Sequence, residues 1–426
     1  MFKALTLFLG VIGVAQAAQF TQPLRGSGPD PFVVYDTDTS SYLFMQTHGS
    51  VIKLTSAPTL GETGVFSNEK TVYDEASVVG RGGIWAPEIH KIDGKWHIYF
   101  TVEGKEAWVV SGGANPYDEY SNPTKLFDHY GIDGTVLKTG SGNYFVWCCH
   151  SGDVSDNTID GSSICISPLT APNAIDQGNV AVISRPDNAW EQDGGKTNEG
   201  PQPIQWNGRT YISYSASHCT TASYSLALLE LTGSDPMNPD SWVKSDGPVF
   251  SSGNGEYGPG HNGIFISPDG SELWNVYHAT TNSAGSCGDD RSTFAMRIAT
   301  SSDSNLNFGT PVQKGVVTEG PSGEPGSTGG SDTSAAESIS VSYPASSAVP
   351  LTEDVYAEAP TTTAAFEAPV FATATGSAAP FASSNLPFTP VALVADGPEA
   401  TEESVQKTEC KAKRGKKARR AVIAQF

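Results

Sequence analysis

Three acidic residues recur at the same point of a repeated stretch of sequence. Asp30 precedes Pro31-Phe32-Val33-Val34, Asp133 precedes Gly134-Thr135-Val136-Leu137, and Glu199 precedes Gly200-Pro201-Gln202. His261 takes that point in a further copy, and Trp85-Ala86-Pro87-Glu88 in another. Each alone has an ordinary explanation, Asp30 and Asp133 as turn formers and Glu199 as part of a surface loop. Together they ask for a chemical one. Carboxylates gathered in a partly desolvated place repel, and one of them is driven to keep its proton to higher pH. A purely structural protein has little reason to concentrate them. A protonated carboxyl facing an ionised one is the equipment of glycosidic-bond hydrolysis: the acid protonates the leaving oxygen, and the carboxylate activates water or attacks the sugar. A third acidic residue can hold the acid protonated and orient it. The sequence presents no cysteine nucleophile, serine triad or phosphate loop that competes with this chemistry.

These residues lie far apart in the chain, so an architecture must bring them together. The repeat occurs five times. A polar opener starts an apolar strand, a turn with Gly, Asp or Asn reverses it, and an aromatic-rich strand returns. The strand pairs are Asp30 to Val34 with Tyr42 to Met45, Ala86 to His90 with Trp96 to Phe100, Asp133 to Leu137 with Tyr144 to Trp147, Pro203 to Gln205 with Thr210 to Tyr214, and His261 to Phe265 with Leu273 to Tyr277. A further strand candidate follows each pair: Val51 to Thr55, Ala107 to Val110, Ser163 to Ile166, Leu226 to Leu231 and Phe294 to Ile298. The openers are spaced by roughly 46 to 66 residues, which suits a supersecondary unit repeated radially. No long stretch has the apolar period of a helix. The expected fold is therefore all-β, a five-bladed β-propeller over residues 18–316 with three or four strands per blade. A β-sandwich is the competing architecture, but it gives no reason to repeat the opener. In a propeller the innermost strand of every blade starts near one mouth of the central channel, so the openers converge. Trp147, Trp274 and Tyr277 sit on returning strands and are expected in the core.

Composition narrows the setting. Residues 1–17 read as a secretory signal, with Lys3, an apolar run from Ala4 to Val14, and Ala15-Gln16-Ala17 as the cleavage site. That run is too short to span a bilayer, and no membrane association is expected. The net charge of −21 makes nucleic acid an improbable partner, because the body of the chain has nothing to neutralise phosphates. There are six cysteines, without zinc-site spacing. Cys148 and Cys149 point to opposite faces of a strand, so at most one faces a given partner. Cys219 and Cys287 follow the returning strands of adjacent repeats, and their pairing is open. Asn-x-Ser/Thr sequons are absent. Residues 317–426 form a Ser/Thr/Ala/Pro-rich tail, expected to be disordered, that ends in a basic run from Lys411 to Arg420. Wall attachment and a plain solvated tail are both readings of that run.

The motifs Gly28-Pro29-Asp30-Pro31, Trp85-Ala86-Pro87-Glu88, Ile132-Asp133-Gly134, Glu199-Gly200-Pro201 and Gly260-His261-Asn262 resemble, as an ordered set, those of glycoside hydrolase family 43. The resemblance covers about Gln19 to Val316. It implies a funnel-shaped site at one end of a five-bladed propeller, with Asp30 as general base, Glu199 as general acid, and Asp133 tuning and orienting the acid. It implies inversion at the anomeric carbon, and a substrate-contacting role for Arg291, whose alternative is a surface ion pair. His261 is expected on the axis, binding sugar or approaching a water-coordinated cation, or simply plugging the channel. No cofactor is expected to be required. Trp85 either stacks on a sugar or packs between blades. The layout around Asp30, Glu199, His278, Cys287 and Arg291 is similar to members that trim arabinan from its end. The expected activity is thus release of terminal α-L-arabinofuranosyl residues from plant cell-wall polysaccharide by a secreted monomer. β-Xylosidase or arabinoxylan-debranching activity is the nearest alternative, and a non-catalytic carbohydrate-binding propeller the more distant one.

Overall fold

The computed structural model describes residues 18–75, 83–150, 161–301 and 305–325. The readings made on residues 1–17 and on the tail beyond residue 325 lie outside them. Five antiparallel sheets, each built from consecutive strands, form a five-bladed β-propeller. The innermost strands are Phe32–Asp36, Ile84–Ile92, Ile132–Thr139, Asn198–Trp206 and Tyr257–Ile266, in blades one to five. The second strands are Ser41–Met45, Lys95–Val102, Gly142–Cys149, Arg209–Ala216 and Leu273–Thr280. Two of the connecting turns show why the chain reverses where it does. Ile92 pairs with Lys95, and Trp206 with Arg209, so only Asp93-Gly94 and Asn207-Gly208 remain between the strands. All four turn residues have positive φ, as the tight hairpin turn that matches strand twist requires.

The second strands read as near-continuous apolar runs because both their faces are covered. Every residue of Leu273–Thr280 is buried, as is all of Lys95–Val102 beyond its first residue. The core is accordingly a set of layers between adjacent blades. Leu43, Ile52 and Leu54 of blade one meet Ile89, Ile98 and Phe100 of blade two. Tyr99 and Val109 meet Val136, Phe145 and Trp147. The last blade meets the first through Phe265, Trp274 and Val276 against Val33, Tyr42 and Phe44. Trp147, Trp274 and Tyr277 are core residues, as expected.

Two features differ from the sequence reading. The strands expected on the outside of each blade are the third and not the last. A fourth, shorter one lies beyond: Glu69–Asp74, Thr124–Lys125, Ala181–Ser184, Trp242–Lys244 and Leu306–Asn307. These edge strands are short, and Thr124–Lys125 is only two residues long, so they carry no legible alternation. The β structure also continues past residue 316. Val317–Glu319 pairs with Gln19–Thr21, and this ribbon brings the two ends of the ring together. The Gln22 N–H donates to Val316 O, and the Gly28 N–H donates to Arg291 O on the last blade. Leu60 N–H donates to Glu324, still farther along. Among the described residues, no helix is long and apolar enough to cross a membrane.

The ribbon predicts where the domain ends. A chain stopped after residue 316 loses the strand that closes the ring, and it should melt several degrees below one stopped after residue 325. Equal melting temperatures by calorimetry would show that the ribbon does not hold the ring closed.

Candidate active site

A residue of positive φ recurs at the start of each inner strand: Asp30 (55°), Ala86 (42°), Asp133 (57°), Gly200 (55°) and His261 (39°). In the four later blades this residue sits in a register shift of the first hairpin, between Trp85 and Glu88, Ile132 and Thr135, Glu199 and Gln202, and Gly260 and Gly263. Such bulges re-aim side chains at strand ends. The backbone N–H of every one of the five is taken by a side chain of the preceding blade. Asp30 donates to His278 Nδ1 (3.1 Å), Ala86 to Thr47 Oγ1 (2.8 Å), Asp133 to Thr101 Oγ1 (3.1 Å), Gly200 to Asp133 Oδ2 (3.1 Å) and His261 to Ser215 Oγ (2.8 Å).

The acidic residues from blades one, three and four meet around the His261 imidazole. His261 Nδ1 lies 3.4 Å from Asp30 Oδ1 and 4.0 Å from Asp133 Oδ2. Gly200 leaves room for the His261 ring, since a Cβ there would come within 3.1 Å of its Cγ. Arg291 reaches in from the loop after the second strand of blade five, and its Nη1 donates to Asp30 Oδ1 at 2.8 Å. Thr47 donates to the other oxygen, Oδ2, at 2.7 Å. His278 Nδ1 is 3.4 Å from Asp30 Oδ1. On the far side, Tyr224 donates from its hydroxyl to Glu199 Oε1 at 2.8 Å.

This arrangement separates the protonation states. Burial alone would raise the Asp30 carboxyl, but Arg291 first, then His261 and His278, hold it well below the usual carboxylate range. Burial pushes Glu199 up to about 7, with Asp133 adding its negative charge; His261 and the Tyr224 hydroxyl act in the opposite sense. Asp133 is raised by burial, against the pull of His261. Burial disfavours the charged form of His261, yet the carboxylates of Asp133, Asp30 and Glu199 outweigh it and raise the ring. His278 is lowered to about 3 by burial and by Arg291, so it stays neutral. The proton affinities of the two carboxyls are thus driven apart, Asp30 staying ionised far into acid and Glu199 keeping its proton up to about neutral pH.

Arg291 is at the site, not in a surface ion pair. Trp85 does not pack between blades: it is 46% exposed, with its ring laid against Gly104, where a Cβ would come within 2.6 Å of the indole. Glu88 lies deeper in the channel, bonded to His90 Nε2 (2.9 Å) and to Gln202 Nε2 (3.3 Å). Cys219 and Cys287 are joined, tying the loop that leads to Tyr224 to the loop that leads to Arg291. Cys149 pairs with Cys165, and Cys148 faces the other way, outside both bridges. A largely apolar cavity of about 460 Å³, lined by Val34, Val136, Ile204 and Ile264, opens on the channel farther along the inner strands, away from the carboxylates.

A cation at His261 is tested by its surroundings. Nδ1 faces two carboxylates, the position of a ring that itself carries a proton. The only three residues among those described whose ligating atoms lie within 4.8 Å of one another are His218, Cys219 and Cys287, and those sulfurs are bonded to each other. The residues at the axis therefore do not form a direct ligand set for a metal ion.

Fold and site together define a five-bladed propeller with acidic groups from three blades meeting at one end of its channel. Residues 20–305 match the profile of glycosyl hydrolases family 43, and the chain belongs to that family. It is 35% identical over 320 residues to an extracellular exo-α-(1→5)-L-arabinofuranosidase of Streptomyces avermitilis, covering 70% of this chain and 65% of that one. It is 36% identical over 318 residues to α-L-arabinofuranosidase 43 of Humicola insolens, again covering 70% and 65%. The match thus spans just under two thirds of each relative's length. A crystal structure of an α-L-arabinofuranosidase from Lactobacillus brevis superposes with a TM-score of 0.61 at 27% identity, covering 69% of this chain and 98% of that one.

Sequence reasoning missed Thr47, Thr101, Ser215 and Tyr224, and met His278 only through the family resemblance. Hydroxyl residues on strands are too common to stand out, and Tyr224 lies on a loop whose path the sequence does not give.

The electrostatics yield a direct test. Replacing Arg291 by Gln removes the strongest influence that lowers Asp30, whose carboxyl should then titrate about one to three pH units higher. Carbon-13 NMR of labelled Asp carboxyls would measure it; an unmoved Asp30 resonance would refute the pairing as the cause.

Proposed function

We propose that the chain is a secreted, inverting glycosidase that releases terminal α-L-arabinofuranosyl residues from arabinan or a related plant cell-wall polysaccharide. One observation carries this reading: Asp30 and Glu199, buried at one channel mouth, have unlike neighbours that push their proton affinities in opposite directions. The arabinofuranosidase names of the relatives supply the sugar. A relative named as extracellular and two disulfides suit an oxidising compartment.

In this reading Glu199 gives its proton to the glycosidic oxygen as the bond to the anomeric carbon breaks. Asp30 takes a proton from a water that attacks the opposite face, and the released sugar has inverted configuration. Asp133 acts on the acid twice. Its charge keeps Glu199 protonated, and its Oδ2 holds the N–H of Gly200, the very next residue. Arg291 and His261 keep Asp30 ionised and offer donors to sugar hydroxyls. Trp85, exposed at the opening of blade two, offers its indole face to the apolar side of a sugar ring. The positive charge comes from the protein's own side chains, so the reaction needs no cofactor, and a chelator should leave the rate unchanged.

The pH dependence follows from the signs. The base stays ionised far into acid, so kcat/KM holds on the acid side; it falls above about 7 as Glu199 loses its proton. Asp133→Asn removes the like charge, and the alkaline limb should move to lower pH; an unmoved limb would exclude Asp133 as the modulator.

The decisive experiment is product analysis on linear arabinan, branched arabinan and arabinoxylan, with Glu199→Gln as control. The wild type should release arabinose, seen by proton NMR first as the inverted anomer. The variant should lose about a hundredfold to ten-thousandfold in kcat while melting normally. Wild-type-like turnover by the variant would exclude Glu199 as the acid. Retained configuration would end the inverting assignment, and binding without release would favour a carbohydrate-binding propeller.

A further inference from the structure

Tyr224 bonds to the acid from a loop of the acid's own blade, and the family motifs do not account for it. It is 1% exposed and sits in the loop between the second and third strands of blade four. Its place is built around the ring. Gly260 of blade five has no room for a side chain, because a Cβ there would come within 2.2 Å of Tyr224 Cε1. The ring also lies parallel to His278, with centroids 5.8 Å apart and planes 4° from coplanar.

Its hydroxyl is aimed at the acid, and the phenol hydrogen goes to Glu199 Oε1 at 2.8 Å. With Oε1 accepting that bond, the proton of a neutral Glu199 is on Oε2.

We propose that Tyr224 is a positioning residue that selects the oxygen of Glu199 from which the catalytic proton leaves. It occupies Oε1, leaves the proton on Oε2, and donates to the carboxylate that forms as that proton departs. The inference rests on Glu199 being the general acid. In the step, the Oε2–H bond breaks, the proton goes to the glycosidic oxygen, and that oxygen leaves the anomeric carbon with the bonding pair. The negative charge remains on the Glu199 carboxylate. The phenol bond strengthens in the same step, because a hydrogen bond to an ionised acceptor is stronger than one to a neutral acceptor. The groups that face Glu199 are Asp133 from blade three, His261 from blade five, Asp30 from blade one and Tyr224 from its own blade. Tyr224 is the one that can donate from a neutral hydroxyl, and burial beside Glu199 keeps that hydroxyl protonated far into base.

The test uses the whole chain and compares two leaving groups. Tyr224→Phe keeps the ring against Gly260 and removes only the donor. With an arabino-oligosaccharide, whose leaving oxygen needs a proton, kcat should fall about tenfold to a hundredfold, the range for a lost hydrogen bond to a charged group. With 4-nitrophenyl α-L-arabinofuranoside, whose leaving group needs little protonation, the loss should be far smaller. The alkaline limb of kcat/KM should move to higher pH, because the ionised acid has lost its donor. Site-specific 3,5-difluorotyrosine at position 224 keeps the shape and strengthens the donor, so it should move the limb to lower pH. This second arm decides the matter should the Phe variant not fold. Equal losses on both substrates with an unmoved limb, or no response to difluorotyrosine, would overturn the proposal. Glu199→Gln in the same assay separates the two claims. If it turns over normally, the acid is misassigned; if it is inactive while Tyr224→Phe behaves as wild type, only the role of Tyr224 falls.

Discussion

The whole site depends on one backbone feature, a left-handed residue at the head of every inner strand whose N–H is caught by the blade before it. For residues other than glycine such a conformation costs of order 1–3 kcal/mol and persists only where the surroundings over-determine it. Four of the five positions are not glycine. Ala86 is the informative one: it has no side chain that could take part in chemistry, yet it adopts the same twist and bonds to Thr47 in the same way. The conformation therefore belongs to the propeller first and to the site second. Five inter-blade bonds close around the axis, and each offsets the strain of one left-handed residue. What the bulge does is turn the residue at or beside it toward the mouth, which is how side chains from distant parts of the chain meet.

Blade three breaks the pattern in a way that has a chemical consequence. By strand register, the residue that should accept the next blade's N–H is Thr101 in blade two, Ser215 in blade four and His278 in blade five. In blade three that residue is Cys148, opposite Ile132. A thiol is a weak acceptor. The Gly200 N–H is instead taken by the carboxylate of Asp133. The residue that raises Glu199 electrostatically thus also holds the backbone next to it. Orientation and proton affinity of the acid are controlled by one side chain, so a substitution at Asp133 alters both together.

Much of this was legible in the sequence. The inner and second strands stand out because both carry dense apolar and aromatic residues bounded by clear turn signals, and because the opener recurs. The meeting of Asp30, Asp133, Glu199, His261 and Arg291 followed from placing the openers at one mouth and from the family resemblance. What could not be read has specific causes. The fourth strands lie at blade edges and are too short to show alternation, as at the two-residue Thr124–Lys125. The hydroxyl acceptors Thr47, Thr101 and Ser215 are ordinary strand residues until register reveals their common position. Tyr224 reaches Glu199 from a loop, and the clue nearest to it was Cys219, whose bond to Cys287 fixes that loop against the one carrying Arg291.

The charges around the mouth are arranged in a gradient across it. Asp30 has Arg291, His261 and the Thr47 hydroxyl about it. Glu199 has an anion, Asp133, and a neutral phenol. His278 lies beside the base, is kept uncharged by burial and Arg291, and holds the Asp30 backbone N–H through its Nδ1. Like carboxyls in one recess would otherwise share their protons indifferently. The asymmetry of neighbours removes that degeneracy, and it does so with residues from blades one, three, four and five. Because each blade contributes its part at the same left-handed position, the residue at or beside that position decides which side of the mouth holds a proton and which holds a charge.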